Sequence, residues 1–147
     1  MKRIVPAVLV LVLALPAHAG AAKRDYAGAV DAASGSIAFV LKTKVKKGKR
    51  RTSVRTFKFR EVPIVCDAES GTTRGRLTFE MRVKRKRFGA LAEDDQGSQL
   101  RVKGALKQRG KRVVGTLRIF GAVPLDPDAH RGANCATGKL RWNAQRV

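Results

Sequence analysis

The sequence predicts an all-β protein: a single antiparallel β-sandwich of about eight strands with jelly-roll or Greek-key connections. Three observations support this class. Beyond residue 19, apolar residues recur at every second position, which is the period of a strand with one buried face. Turns rich in glycine interrupt these stretches about every ten residues, and no stretch has the period of a helix. The same spacing allows a closed β-barrel as the alternative architecture.

The first residues have the features of a secretory signal peptide. Lys2 and Arg3 precede an apolar stretch, residues 4–15, and a small-residue cleavage site follows at residues 17–19. The apolar stretch is shorter than the roughly 20 residues that a transmembrane helix needs. We therefore expect a signal-peptide helix over residues 1–19 and cleavage near Ala19. Residues 20–147 then form one β-sandwich domain that is secreted or associated with the cell envelope and has no transmembrane segment.

The predicted strands follow from the alternation of apolar and polar residues. They span residues 26–32, 36–45, 52–65, 77–83, 88–92, 98–107, 111–123 and 135–146. In the third strand the alternation slips by one position near Arg60 and Glu61, which predicts a β-bulge. The residues expected to point inward are Ile37, Phe39, Leu41, Val45, Phe57, Phe59, Val62, Ile64, Leu77, Phe79, Met81, Val83, Leu100, Val102, Leu106, Val113, Leu117, Ile119, Leu140, Trp142 and Ala144.

The connections between these strands have typical turn residues. Gly48 lies in the basic stretch 46–51 and predicts a hairpin turn there. A second basic turn covers residues 84–87, an acidic turn covers residues 93–97, and Arg109-Gly110 predicts a further hairpin. A proline-containing loop, residues 124–134, leads into the last strand.

Cys66 and Cys135 are the only two cysteines of the chain. In an exported protein they favour a disulfide, because two thiolates without companion ligands make a poor metal site. The bond joins the end of the third predicted strand to the start of the last one. Closing this long loop stabilises the fold by roughly 4 kcal/mol.

The expected mature chain is strongly basic. Residues 1–19 contain two of the 32 lysines and arginines and none of the 11 acidic residues, so residues 20–147 carry a formal charge of +19. Solubility asks for a magnitude of only about 2 to 8, and a stronger field attracts polyanions. We therefore expect a non-catalytic module that binds cell-envelope polyanions, extracellular nucleic acid or sulfated glycans. The residues expected to bind them are Lys46, Lys47, Lys49, Arg50, Arg51, Lys84, Arg85, Lys86, Arg87, Arg101 and Lys103.

An alternative explains the same charge without a polyanion. Charged outer faces keep sheets soluble and block aggregation at their edges. The chain is then an extracellular carbohydrate- or protein-recognition or adhesion module. In either case the predicted apolar faces take up five of the eight aromatic residues, namely Phe39, Phe57, Phe59, Phe79 and Trp142. This leaves few platforms for stacking on bases and disfavours sequence-specific recognition of nucleic acid.

The chain has no recognisable set of catalytic or cofactor-binding residues. Asp126, Asp128 and His130 could contact a metal, but the same residue types are common in surface turns. The acidic residues 93–95 lack the ligand spacing of a calcium loop. Glu80 and Asp67 could serve a glycosidase, although any fold with 11 acidic residues offers such pairs. We expect no enzymatic activity, no metal and no cofactor.

Several short segments carry a resemblance that spans most of residues 20–147. These are Tyr26-Ala27-Gly28, VPIVC at residues 62–66, Arg87-Phe88, VGTLR at residues 114–118 and CATGKLRWNA at residues 135–144. In this arrangement the chain resembles small secreted bacterial all-β proteins of unknown function with one disulfide. The resemblance implies the β-fold and the disulfide, and it implies no activity.

Overall fold

The computed structural model describes residues 21–31 and 33–147. The predicted signal peptide lies outside the described residues. Within them the chain contains ten β-strands and no α-helix, so the all-β prediction is confirmed. The strands are β1 (Ala22–Val30), β2 (Ser36–Lys46), β3 (Lys49–Val65), β4 (Ser70–Leu77), β5 (Met81–Arg82), β6 (Arg87–Glu93), β7 (Ser98–Lys107), β8 (Arg112–Pro124), β9 (Arg131–Ala136) and β10 (Leu140–Arg146). A short 3₁₀ turn, Gln108–Gly110, separates β7 from β8.

All ten strands belong to one antiparallel sheet. Hydrogen-bonded neighbours follow the order β10, β1, β2, β3, β9, β8, β7 and β6, and β10 also pairs with β8. The short strands β4 and β5 pair with β3 outside this order. The two longest strands, β3 and β8, connect the parts of the sheet, because each of them pairs with three or more other strands.

The core is built around a cluster of aromatic rings. The centroid of Phe39 lies 4.9 Å from that of Tyr26 and 5.9 Å from those of Phe57 and Phe88. The Trp142 centroid lies 5.8 Å from Phe39, and its side chain is almost completely buried. Such tilted and offset contacts are the favoured arrangement for aromatic pairs. The inward alternation predicted for these strands is therefore confirmed at the centre of the core.

Two glycines that face each other across β7 and β8 make room for these rings. Gly104 is paired with Gly115. A Cβ atom at Gly104 would lie 2.2 Å from the Phe88 ring, and one at Gly115 would lie 2.3 Å from the Trp142 ring. Both distances are far below van der Waals contact. The Phe88 and Trp142 rings therefore lie directly against the backbone of the sheet at this position.

The predicted strand at residues 77–83 is wrong in extent. The structure ends β4 at Leu77 and places only Met81–Arg82 in β5. Phe79 lies in the break and is 44% exposed, so its predicted place in the core is also wrong. The alternation could not identify β4, because its sequence is rich in glycine and threonine. Thr73 fills an inward position there, and its hydroxyl donates to the Pro124 carbonyl over 2.8 Å.

The last predicted strand is two strands. Residues 137–139 separate β9 from β10, and Gly138 has a φ of 66°, a left-handed conformation that lets the chain turn. β9 pairs with β8, whereas β10 pairs with β1 as well as β8.

At the far end of the β2–β3 hairpin Val45 is 43% exposed, because this part of the hairpin extends beyond the core.

Other local predictions are confirmed. The pairing of β3 with β4 shifts register between Phe59 and Val62, and Glu61 within the shift has a φ of 52°, so the β-bulge is present. Residues 98–107 form β7 with the predicted bounds. The basic turns at Gly48 and at residues 84–87 and the acidic turn after β6 also occur where the sequence places them.

The predicted disulfide is confirmed. Cys66 follows β3, and Cys135 lies in β9. Val65 is paired with Ala136, and this contact between β3 and β9 brings the two cysteines together. Gly132 lies against the bond, since a Cβ atom there would be 2.4 Å from the Cys66 Sγ.

The antiparallel order gives the molecule two different ends. At one end lie three turns, which connect β2 to β3, β5 to β6 and β7 to β8. We call residues 46–51, 84–87 and 107–112 the basic end. At the other end lie the loops that follow β1, β3, β6 and β8, together with the disulfide. We call residues 31, 33–35, 66–69, 94–97 and 125–130 the disulfide end.

Candidate polyanion-binding surface

The three turns of the basic end are direct neighbours. The Val83 N–H donates to the Thr52 carbonyl over 2.9 Å, which joins the β5–β6 turn to the β2–β3 hairpin. The Leu106 N–H donates to the Lys86 carbonyl over 2.8 Å, which joins the same turn to the β7–β8 turn. The three basic segments, which are far apart in the sequence, therefore form one continuous surface.

This surface carries positive charge alone. Its segments contain five, four and four lysines or arginines and no acidic residue. All of these cationic side chains are exposed. Among the residues that the structure describes, none of them forms a salt bridge. The cationic side chains are Lys46, Lys47, Lys49, Arg50, Arg51, Lys84, Arg85, Lys86, Arg87, Lys107, Arg109, Lys111 and Arg112.

The backbone of these turns is left-handed at several cationic residues. Arg85 and Lys86 have φ values of 48° and 64°, and they occupy the two central positions of the turn closed by Lys84 and Arg87. A two-residue hairpin turn of this kind favours asparagine and glycine, because side chains crowd the backbone when φ is positive. Lys47 and Arg109 are left-handed as well. Strained conformations of this kind are often retained at functional sites.

A second cationic surface lies on the outer face of β6, β7 and β8. A depression of about 950 Å³ there is lined by Arg87, Phe88, Gly89, Arg101, Lys103, Gly104, Ala105, Val114, Gly115, Thr116, Arg118 and Lys139. Five of these lining residues are cationic and none is acidic. Arg87 also belongs to the basic end, so the depression and the basic end are continuous. We call this depression the cationic groove.

All eleven cations that the sequence singled out lie on these two surfaces. Nine lie in the β2–β3 and β5–β6 turns, whereas Arg101 and Lys103 lie in the groove. The sequence interpretation missed the third turn and two groove residues. The missed residues are Lys107, Arg109, Lys111, Arg112, Arg118 and Lys139. The signal in the third turn was weak, because Gln108 and Gly110 interrupt its run of cations.

The charges of the disulfide end are arranged differently. Arg131 approaches Asp94 to 3.0 Å, Arg74 approaches Asp126 to 2.9 Å, and the His130 Nε2 lies 2.8 Å from Glu69. Asp94 and Asp126 therefore pair with arginines of neighbouring strands, whereas none of the cations of the basic end has such a partner among the described residues.

Asp94 organises the acidic turn of the disulfide end. Its carboxylate accepts the backbone N–H groups of Gln96 and Ser98 over 3.0 and 2.8 Å. Partial desolvation acts to raise the pKa of Asp94, but these hydrogen bonds and the Arg131 guanidinium together lower the pKa below its ordinary value. The ionised carboxylate is thus part of the folded turn.

Glu80 lies beside β3, and a cation of that strand accompanies it. The Arg55 guanidinium donates to Glu80 over 2.7 Å. Hydrogen bonds from Ser53 and Arg55 lower the pKa of Glu80. Asp67 lies beyond the other end of β3, where it accepts a hydrogen bond from the Asn134 amide over 2.6 Å. The two carboxylates that could serve a glycosidase are therefore in different parts of the molecule.

Two of the three candidate metal ligands of the sequence have other partners. Asp126 binds Arg74 and His130 binds Glu69. Within the described residues no group of three or more His, Cys, Asp or Glu side chains is arranged to hold a metal ion.

No helix within residues 21–31 and 33–147 reaches the length and hydrophobicity of a membrane-spanning segment. No family model matches the chain, and neither the curated proteins nor the solved structures offer a similar one.

Proposed function

We propose that the protein is a secreted, non-catalytic module that binds anionic polymers through the basic end and the cationic groove. The observation that carries this proposal is the clustering of unpaired cations. Three turns from distant parts of the chain converge on one end, and each contributes lysines and arginines without an acidic partner. Binding of a polyanion to such a surface is favourable, because the polyanion neutralises the cations and releases its own condensed counterions.

The arrangement argues against charge that serves solubility alone. Solubility is served by cations and anions interspersed over the surface. The loops of the disulfide end carry seven acidic residues, and Arg74 of β4 and Arg131 of β9 pair with two of them. The basic end combines undiluted positive charge with left-handed cationic residues, and both features lower the free energy of unfolding. A binding role explains why they are retained.

Secretion fits the same proposal. The sequence predicts a signal peptide over residues 1–19, and the disulfide is of the kind found in oxidising compartments. Outside the cell the accessible polyanions are polymers of the envelope and the matrix.

Heparin chromatography tests the proposal. We expect residues 20–147 to be retained on immobilised heparin at a salt concentration that removes an unrelated protein of equal net charge and size. Elution of both proteins at the same salt concentration would contradict the proposal, because net charge alone would then explain the retention.

Matched variants locate the binding surface. The basic-end variant carries Lys47→Gln, Arg50→Gln and Arg85→Gln. The control variant carries Lys58→Gln, Arg60→Gln and Arg76→Gln, which remove the same charge from β3 and β4. We expect the basic-end variant to bind heparin about 10- to 100-fold more weakly at about 0.15 M salt, as the loss of three phosphate-like contacts predicts. The control variant should lose much less affinity, and equal losses would contradict the location.

A further inference from the structure

We propose that the cationic groove is a subsite for a linear glycan that carries sulfate or phosphate groups. The proposal rests on the proposed function, and it names the part of the polymer that the groove recognises. Three cations, Arg101 of β7, Arg118 of β8 and Lys139 immediately before β10, form a row across neighbouring strands.

The pairing of the strands produces this row. Arg101 lies directly opposite Arg118, and the buried residues beside them, Val102 and Leu117, face the core. Leu140 of β10 is paired with Leu117, so Lys139 comes next to Arg118 on the outer face. Neighbouring strands are about 4.8 Å apart. The backbone positions of the three residues therefore lie within about 10 Å, and all three side chains are exposed.

The row is destabilising for the free protein. Like charges directly opposite each other in an antiparallel pair repel. Among the described residues no carboxylate forms a salt bridge with any of the three cations. A bound oxyanion removes this repulsion, and the loss of repulsion makes binding more favourable.

The chemistry of the groove favours a tetrahedral oxyanion. A sulfate or phosphate group has several acceptor oxygens and can bridge more than one cation, and guanidinium groups bind it through two parallel hydrogen bonds. The Arg118 guanidinium lies 5.5 Å from the centroid of the Phe120 ring, a contact that holds it in place before the ligand arrives.

The floor of the groove accommodates a sugar chain. Gly89, Ala105 and Thr116 have small side chains, and they lie between the flanking cations. A volume of about 950 Å³ is in the range of sites that hold ligands of several rings. Arg87 extends the groove toward the basic end, so a longer polymer can contact both surfaces.

The groove does not suit nucleic acid. Binding of single strands relies on exposed aromatic rings on which bases stack. Among the described residues that line the groove, Phe88 is the one aromatic residue, and its ring is buried against Gly104. The bases of a single strand would therefore find no platform here.

Short oligosaccharides test the proposal by calorimetry at about 0.15 M salt. The probes are a heparin hexasaccharide, a phosphorylated hexasaccharide of mannose and a single-stranded DNA hexanucleotide. The groove variant carries Arg101→Gln, Arg118→Gln and Lys139→Gln, and it is compared with the wild-type protein and the basic-end variant. These substitutions lie on exposed side chains, and a thermal melt checks that the variant is folded.

We expect the groove variant to bind a sulfated or phosphorylated hexasaccharide at least about tenfold more weakly than the wild-type protein. The basic-end variant should lose less than about threefold, because a short ligand does not reach the turns. The hexasaccharide that binds more tightly identifies sulfate or phosphate as the group recognised. Protection of Arg101 and Arg118 from phenylglyoxal by that hexasaccharide gives the same information on the wild-type protein.

Three results would overturn this inference. One is equal loss of hexasaccharide affinity in the groove and basic-end variants. Another is tighter binding of the hexanucleotide than of either hexasaccharide at the groove. A third is the absence of hexasaccharide binding by a wild-type protein that still binds heparin above the charge-matched control, which leaves the proposed function standing. Failure of long heparin itself to bind above that control would instead refute the proposed function.

Discussion

The connections between strands are held by different interactions at the two ends of the molecule. At the disulfide end a covalent bond, two ion pairs, the His130–Glu69 hydrogen bond and the hydrogen bonds of Asp94 hold the loops together. At the basic end the turns carry unpaired cations in left-handed conformations. The proposed function accounts for this difference: stability is concentrated at the disulfide end, and the basic end serves binding. Proteins commonly accept local instability where a partner must be recognised.

The largest expected effect comes from removing the disulfide. Replacing Cys66→Ser and Cys135→Ser together should lower the free energy of unfolding by roughly 4 kcal/mol, because the bond closes a loop between positions 69 residues apart. Urea unfolding with and without the substitutions measures this change. A loss below about 1 kcal/mol would show that the disulfide end does not depend on its covalent bond.

A smaller loss is expected at the glycine beside the disulfide. A Cβ atom at residue 132 would lie 2.4 Å from the Cys66 Sγ and 2.7 Å from the Cys135 Sγ. Gly132→Ala should therefore destabilise the protein by about 1 to 3 kcal/mol through overpacking. Gly71→Ala is a suitable control, since a Cβ atom there has no close neighbour. Equal melting temperatures for the two variants would refute the close packing at this end.

The basic end should respond with the opposite sign. Replacing Arg85→Asn and Lys86→Gly supplies the residues that a two-residue turn with positive φ prefers. We expect the free energy of unfolding to rise by about 1 kcal/mol, while affinity for heparin falls. Thermal denaturation and heparin elution of the same variant measure both quantities. A variant that is less stable, or that binds heparin as the wild-type protein does, would break the contrast between the ends.

The stability of the disulfide end should depend on pH through Asp94. The pKa of Asp94 is lower in the folded protein than its ordinary value of 3.8, so its ionised form stabilises the fold above that pH. This stabilisation should disappear as the pH falls below about 4 toward the folded-state pKa. Asp94→Asn should therefore be less stable than the wild-type protein at neutral pH, and the difference should shrink in acid. A difference that stays constant between neutral pH and about pH 2 would contradict the role of the carboxylate.

The sequence predicts those parts of the fold that depend on side-chain alternation. β7, the bulge at Glu61 and the core positions of Phe57 and Trp142 follow directly from the two-residue period. β4 does not follow from this period, because its place in the sheet depends on backbone hydrogen bonds to β3 and on Thr73, whose hydroxyl finds an acceptor in the Pro124 carbonyl. Local periodicity carries no information about such a strand.

The sequence predicts only part of the candidate site. Runs of cations identify the turns at residues 46–51 and 84–87, because adjacent like charges rarely occur in a core. The convergence of these turns with residues 107–112 depends on strand pairing between distant segments. The row of Arg101, Arg118 and Lys139 likewise arises from register, which is set by the whole sheet.

In the proposed function, heparin affinity depends on the position of the cations rather than on their number, and the salt dependence of that affinity distinguishes the two. We would measure the slope of log K against log salt concentration for the wild-type protein, the basic-end variant, the groove variant and the control variant. We expect the magnitude of the slope to decrease by about one for each contacting cation removed at the basic end or in the groove, and to stay nearly unchanged in the control variant. The same decrease in all three variants would contradict this expectation, since total charge would then be sufficient to explain binding.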